Sequence, residues 1–252
     1  MAQGVHQVTA HFEEALCQYT GAKYAVAVDN LSNALFLSLM FEGVKGKTIE
    51  IPSRTYPSVP CEIIHAGGRV KFYPIEGKLK GAYLLKGTHV VDSALRFTAD
   101  MYVPGTLMCL SFTGPYKHLK LIKGGAILTD NEEAYKWLKR SRFSGRRERS
   151  YHDDSFDMLG WNFYMMPDVA IRGLQLIDGF YNPDGTKKKN EDLELLYPDL
   201  SQFPIYQSVD NEERSLLIDF YRYLVESETI REDFEQMGHM IRMVDNYIIN
   251  RR

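Results

Sequence analysis

Apolar positions come in short blocks separated by glycine, proline and charged turns, and the blocks alternate between two spacings. Over residues 12–19, Phe12, Leu16 and Tyr19 recur at helical intervals and predict one buried helix face, with Gly21 placed to close it. Residues 24–28 form an unbroken apolar run and read as a buried strand. Asp29 and Asn30 then offer capping oxygens to an apolar helix over about 33–41. A strand over 47–51 is stopped by Pro52, and a helix over 57–66 has its proline in the first turn and Gly67-Gly68 at its end. Residues 69–73, 89–91, 107–112 and 125–128 predict four further strands. Residues 131–142 predict a helix with Glu132 and Glu133 in its first turn and Lys139 and Arg140 in its last, the order the helix dipole favours.

Strands alternating with helices at this spacing predict an α/β fold with a mostly parallel central sheet and flanking helices. The turn signal Asn182-Pro183-Asp184-Gly185, followed by Lys187-Lys188-Lys189, is the best linker. It divides the chain into a large domain, 1–182, and a reduced C-terminal helical region, 183–252, with helical patterns over 211–227 and 228–249.

The composition changes this picture little. A chain of 252 residues that is 44% hydrophobic can bury one large core with a small appendage. The net charge of -3 supplies no field to draw in nucleic acid or an anionic membrane. The triple lysine and the group Arg140, Arg142, Arg146, Arg147 and Arg149 read as solvated surface. Cys17, Cys61 and Cys109 have no metal-ligand spacing and fit buried thiols in a reducing compartment. The histidines show no ligand spacing either, so no metal site is expected. No basic segment leads into an apolar core at the N-terminus, and no apolar run approaches the roughly 20 residues that cross a bilayer. A cytoplasmic protein is expected.

The chemistry concentrates in Ser111-Phe112-Thr113-Gly114-Pro115-Tyr116-Lys117-His118-Leu119, followed by Lys123-Gly124-Gly125, which sets one lysine in a loop between two strands. Asp92 ends the apolar run His89-Val90-Val91. Ser32-Asn33-Ala34-Leu35 opens a helix where free N–H groups favour an anion. A lysine amine, a strand-end carboxylate and a helix-start phosphate cradle are together the groups that hold pyridoxal phosphate (PLP) as a Schiff base. Singly, each has a plainer reading: a loop lysine, a turn aspartate, a helix-start serine.

Five segments in order resemble the fold-type I, PLP-dependent nucleotide-sugar aminotransferases of the DegT family. They are Phe12-Glu13-Glu14 with Tyr19-Thr20-Gly21; Ile51-Pro52-Ser53-Arg54-Thr55-Tyr56; Val91-Asp92-Ser93-Ala94; Ser111-Phe112 with Lys117 and Gly124-Gly125; and Gly160-Trp161-Asn162-Phe163 with Gly173-Leu174-Gln175-Leu176. The resemblance implies a PLP-transferase fold. It makes Lys117 the catalytic lysine, which joins the cofactor and then moves a proton between substrate and cofactor. It implies that Asp92 pairs with the pyridine nitrogen. Ser32 and the Leu31 amide, with the Ser111 hydroxyl, hold the phosphate, and Tyr56 stacks on the ring. Asn162 reaches the phosphate of a neighbouring subunit, so the sites are shared within a homodimer. The implied partners are a glutamate-like amino donor and a keto sugar, nucleotide-linked.

Several positions depart from the family pattern. Leu31 stands where glycine precedes the phosphate-binding residue, and Leu95 where a glutamine or histidine is common. The serine-to-lysine interval is one residue longer, and Lys123 replaces an acidic residue. Two alternatives therefore stay open: a degraded homologue kept as a binding or assembly protein, and another PLP reaction such as dehydration. The retained Lys117 speaks against the second.

Overall fold

The computed structural model describes residues 2–207. The helical patterns over 211–227 and 228–249 lie outside them. One compact unit runs to Leu200 and contains every element described below; of a second, which starts at Ser201, only 201–207 are described.

Helix α1 (Ala2–Thr20) buries Phe12, Leu16 and Tyr19 completely, and Gly21 ends it with φ of +79°, a conformation in which glycine has no Cβ to clash. Strand β1 (Tyr24–Val28) follows as expected. Helix α2 (Leu31–Phe41) is capped by Asn30, whose side chain accepts the Asn33 N–H at 2.9 Å. Strand β2 (Thr48–Pro52), helix α3 (Ser58–His65) and strand β3 (Arg69–Tyr73) come next, then the two-residue strands β4 (Leu79–Lys80) and β5 (Tyr83–Leu84). Strands β6 (Val90–Ser93), β7 (Leu107–Ser111) and β8 (Gly125–Thr129) lead to helix α4 (Glu132–Ser141), which is capped by Asn131.

Helix α5 (Pro167–Ile177) was not anticipated from its pattern. It starts on a proline and carries Gly173 in its interior. That glycine allows α5 to press on α1: a Cβ there would lie 2.5 Å from the Phe12 ring. The chain then runs through the 182–190 turn and returns to the unit. Asn190 Nδ2 donates to the Phe97 carbonyl (2.8 Å), Arg96 forks onto Asp192 (2.8 and 2.6 Å), and strand β9 (Glu194–Leu195) pairs with β4.

The central sheet has the order β1-β8-β7-β6-β5 and is mixed, not mostly parallel. Only β6–β7 is parallel within it; β1–β8, β7–β8 and β5–β6 are antiparallel. The reason is the connection 112–124, which contains no helix to carry the chain back to the other end of the sheet, so β8 reverses direction. Strands β2 and β3 form a separate parallel pair, and Glu50 of β2 exchanges backbone bonds of 3.1 and 3.0 Å with Lys86. The flanking helices and the α/β character are as expected.

Both faces of the sheet are covered, which is why its strands read as continuous apolar runs. Side chains alternate between two cores. Val26, Cys109 and Ile127 join α2, α3 and α4 in one; Ala27, Met108 and Leu128 join α1 and α5 in the other. Cys109 is buried, whereas Cys17 and Cys61 are only half-buried. The register also aligns four strand ends: Val28 faces Gly125, Gly125 faces Ser111, and next to Ser111 the pair Leu110↔Ser93 continues the row. Strands β1, β6 and β7 all leave the sheet at this edge.

A buried ion cluster locks α1 to the sheet and to α4. The Arg142 guanidinium, 1% exposed, donates to Glu13 and to the Ala27 carbonyl, and reaches Glu148 at 2.8 Å. Glu13 also accepts the Ala27 N–H (2.8 Å) and the Lys139 ammonium (3.0 Å). Arg142→Met would leave Glu13 under-compensated in a low-dielectric site, a change that typically costs about 3–5 kcal/mol. Urea unfolding should show a loss of unfolding free energy of that size, against a small effect for Lys136→Ala at the exposed Glu132 pair.

Candidate active site

The aligned strand ends open into a cavity of ≈ 420 Å³. Asn30, Leu31 and Ser32 form one wall at the start of α2, and Tyr56 and Ser58 a second at the start of α3. Ser111, Thr113, Tyr116, Lys117, Ile122 and Lys123 come from the β7–β8 connection, Ala94 follows β6, and Tyr197 closes the ring from the segment after β9.

Lys117 is 4% exposed, and its amine donates to the Ala94 carbonyl. Burial lowers its pKa to about 8, with the Asp92 charge opposing that fall. Asp92, 2% exposed, does not line the cavity. It accepts the Ala94 N–H at Oδ1 (2.8 Å) and the Tyr83 hydroxyl at Oδ2 (2.9 Å). Burial raises its pKa, offset in part by those two donors and by Lys117. Ala94 thus lies between lysine and aspartate, giving its N–H to one and its carbonyl to the other.

The phosphate cradle expected from the sequence exists as a place of converging donors. Ser32 Oγ donates to Ser58 Oγ (2.7 Å), bringing the starts of α2 and α3 together beside Ser111. Gly125 makes this approach possible: a Cβ there would lie 2.6 Å from Asn30 C and 2.8 Å from the Leu31 nitrogen. Leu31 lines the cavity but also belongs to the core cluster below it, and its backbone has no left-handed φ that would demand glycine. Leu95 is 1% exposed and is not on the cavity wall.

The structure therefore gathers Leu31, Ser32, Tyr56, Ser111 and Lys117 around one cavity, with Asp92 adjoining it through Ala94. Asn162 lies elsewhere in the same chain. It is exposed, bridges to Phe143 and lines another cavity with Arg146, Arg149 and Tyr164. Sequence reasoning missed Tyr83, Ser58 and Tyr197. Ser58 sat in the helix-start pattern already noted at Pro57 and could have been found there; Tyr83 and Tyr197 carried no local signal. Among the described residues, no cluster of three or more His, Cys, Asp or Glu side chains could hold a metal, and no helix is long and apolar enough to cross a membrane.

Residues 4–80 match the model of the DegT/DnrJ/EryC1/StrS aminotransferase family. The chain is related to these aminotransferases. It is 26% identical over 201 residues to a UDP-4-amino-4,6-dideoxy-N-acetyl-beta-L-altrosamine transaminase of Campylobacter jejuni, an overlap of 63% of this chain and 53% of the relative. The chain thus spans about half the length of the curated relatives it matches. Its fold is that of the fold-type I sugar aminotransferases. Helicobacter pylori PseC, an aminotransferase of pseudoaminic acid biosynthesis, superposes with a TM-score of 0.56 at 16% identity, over 70% of this chain and 61% of that one. DesV of S. venezuelae, solved with a ketimine intermediate, gives 0.54 at 19%, over 69% and 57%. A GDP-4-keto-6-deoxymannose-3-dehydratase gives 0.55 at 17%, over 68% and 60%, so this architecture alone does not choose the reaction.

The Lys117 amine should titrate near pH 8, far below an ordinary lysine. Acetylation by trace acetic anhydride, read by peptide mass spectrometry at this residue, should rise with a midpoint at about 8. Asp92→Asn removes the charge that holds the proton on, so the midpoint should move lower still.

Proposed function

We propose that this chain is a PLP-dependent aminotransferase that moves an amino group from a donor such as glutamate to a keto sugar, nucleotide-linked. The observation that carries the reading is a buried amine in a cavity also lined by the start of a helix, with burial lowering that amine's pKa. The residues present fit PLP. Ser32, Ser111 and the N–H groups opening α2 would hold its phosphate, and Tyr56 would cover its ring face. Asp92 would pair with the ring nitrogen, and Lys117 would be the point of covalent attachment.

Bound there, PLP supplies a sink for the electron pair left when the donor loses its Cα proton. The protein's own part is positional and acid–base. An amine with a pKa of about 8 is partly neutral at cellular pH, so Lys117 can take a proton from the donor carbon and return it to the acceptor. Asp92, held by two donors, favours positive charge next to it. Tyr56, Tyr116 and Tyr197 around the mouth give a sugar ring apolar faces to lie on, and Lys123, 61% exposed, offers a charge to an anionic substituent. The family's shared site gives Asn162 its role: it would serve the partner subunit's cavity in a cytoplasmic homodimer.

Addition of PLP to the purified protein should produce a near-visible band that Lys117→Ala abolishes. Glutamate should then convert the band to that of the aminated cofactor, and steady-state kinetics should be ping-pong. A band inert to every amino donor would favour the degraded homologue instead, and no band at all would overturn the aminotransferase reading.

A further inference from the structure

Asp92 is held by a residue that the family resemblance does not supply. Tyr83 on β5 stands directly opposite Asp92 on β6 in antiparallel register, so both side chains project from the same face. The Tyr83 hydroxyl donates to Asp92 Oδ2 at 2.9 Å, and its oxygen lies 2.6 Å from Thr55 Oγ1. Tyr83 has one proton and gives it to the carboxylate, so the Thr55 hydroxyl must be the donor to Tyr83. Thr55 is itself fully buried at the end of the segment that leads from β2 to α3. We propose that Tyr83, backed by Thr55, is a positioning residue that fixes the plane of the Asp92 carboxylate and keeps it ionised beside Lys117.

The geometry accounts for each oxygen. Oδ1 takes the Ala94 N–H and Oδ2 takes Tyr83, one donor apiece, so rotation of the carboxylate would break both bonds. The other titratable groups that face Asp92 are Lys117 from the β7–β8 connection, Cys109 from β7 and Tyr197 from the segment after β9. Only Lys117 among these favours the charged form, and it is the group whose charge the proposed chemistry removes. Tyr83 supplies a neutral donor whose effect persists when the lysine is neutral. Burial and the Asp92 charge hold its phenol well above the usual tyrosine range, so it stays protonated. This role rests on the PLP reading only for its purpose; the hydrogen-bond relay stands on the structure itself.

The test measures Asp92 directly. Protein labelled with 13C at aspartate carboxyl carbons is titrated by NMR without added PLP, and Asp92 is assigned by loss of its signal in Asp92→Asn. Tyr83→Phe should raise the Asp92 midpoint by about one to two pH units, the size expected when a charged acceptor loses one hydrogen bond. Thr55→Val should shift it in the same direction by less, and Thr55→Ser should restore it. Thr55→Val carries the test if Tyr83→Phe does not fold. With PLP and glutamate, the acidic limb of the kcat profile should move upward with the NMR midpoint, while KM for glutamate changes less than kcat. An unchanged Asp92 midpoint in the folded variants would overturn the proposal. A midpoint that moves in a protein unable to bind PLP would uphold the relay and overturn only the cofactor reading.

Discussion

Everything at the candidate site depends on one row of strand ends. Val28, Gly125, Ser111 and the neighbouring Leu110↔Ser93 pair lie side by side along a single edge of the sheet. Since both faces of the sheet are sealed by apolar packing, this edge is where polar groups from several strands can meet without crossing a core. Three strands leave the sheet there and deliver the opening of α2, the Asp92–Ala94 corner and the lysine loop. The fourth, β8, enters there, and it starts on glycine because the backbone at Asn30 and Leu31 occupies the space a side chain would need. Gly125 is thus a clearance device for a helix terminus as much as part of a sequence signature.

Two sets of buried charges divide the work of the fold. Around Arg142 each charge has several partners: two carboxylates, a backbone carbonyl and a second cation make a closed cluster that ties α1, β1 and α4 together. Such a cluster fixes geometry and leaves little free to react. The pair Lys117 and Asp92 is built differently. The lysine has one hydrogen-bond partner, a neutral carbonyl, and the pKa values of the two groups move toward each other because burial disfavours both charges. An under-solvated amine that faces a cavity is suited to chemistry for the same reason that it contributes little to stability.

The departures from the family pattern look different once the side chains are placed. Leu31 both packs in the core and lines the cavity, and its backbone conformation does not require glycine. Leu95 is core and faces no ligand space. The return of residues 190–200 across the unit, held by the Arg96–Asp192 fork and by β9, brings Tyr197 to the cavity mouth.

Much of the architecture was legible locally. The apolar blocks marked six strands and four helices because burial on both faces, or on one helical stripe, leaves a pattern within a few consecutive residues. Capping by Asn30, the turn at Gly21 and the lysine loop could be read for the same reason. What the sequence determined by itself was therefore the set of elements and the residues with reactive potential. Strand direction, the shared edge and the partners of each charged group were decided only by the tertiary structure. Helix α5 hid behind its proline and its glycine, whose purpose is a contact with Phe12 far away in the chain. Thr55, Tyr83 and Asp92 are 28 and 9 residues apart and come together only when β5 pairs with β6. A hydrogen bond between such residues leaves no local period, because its energy is realised only after the chain has closed the loops that separate them.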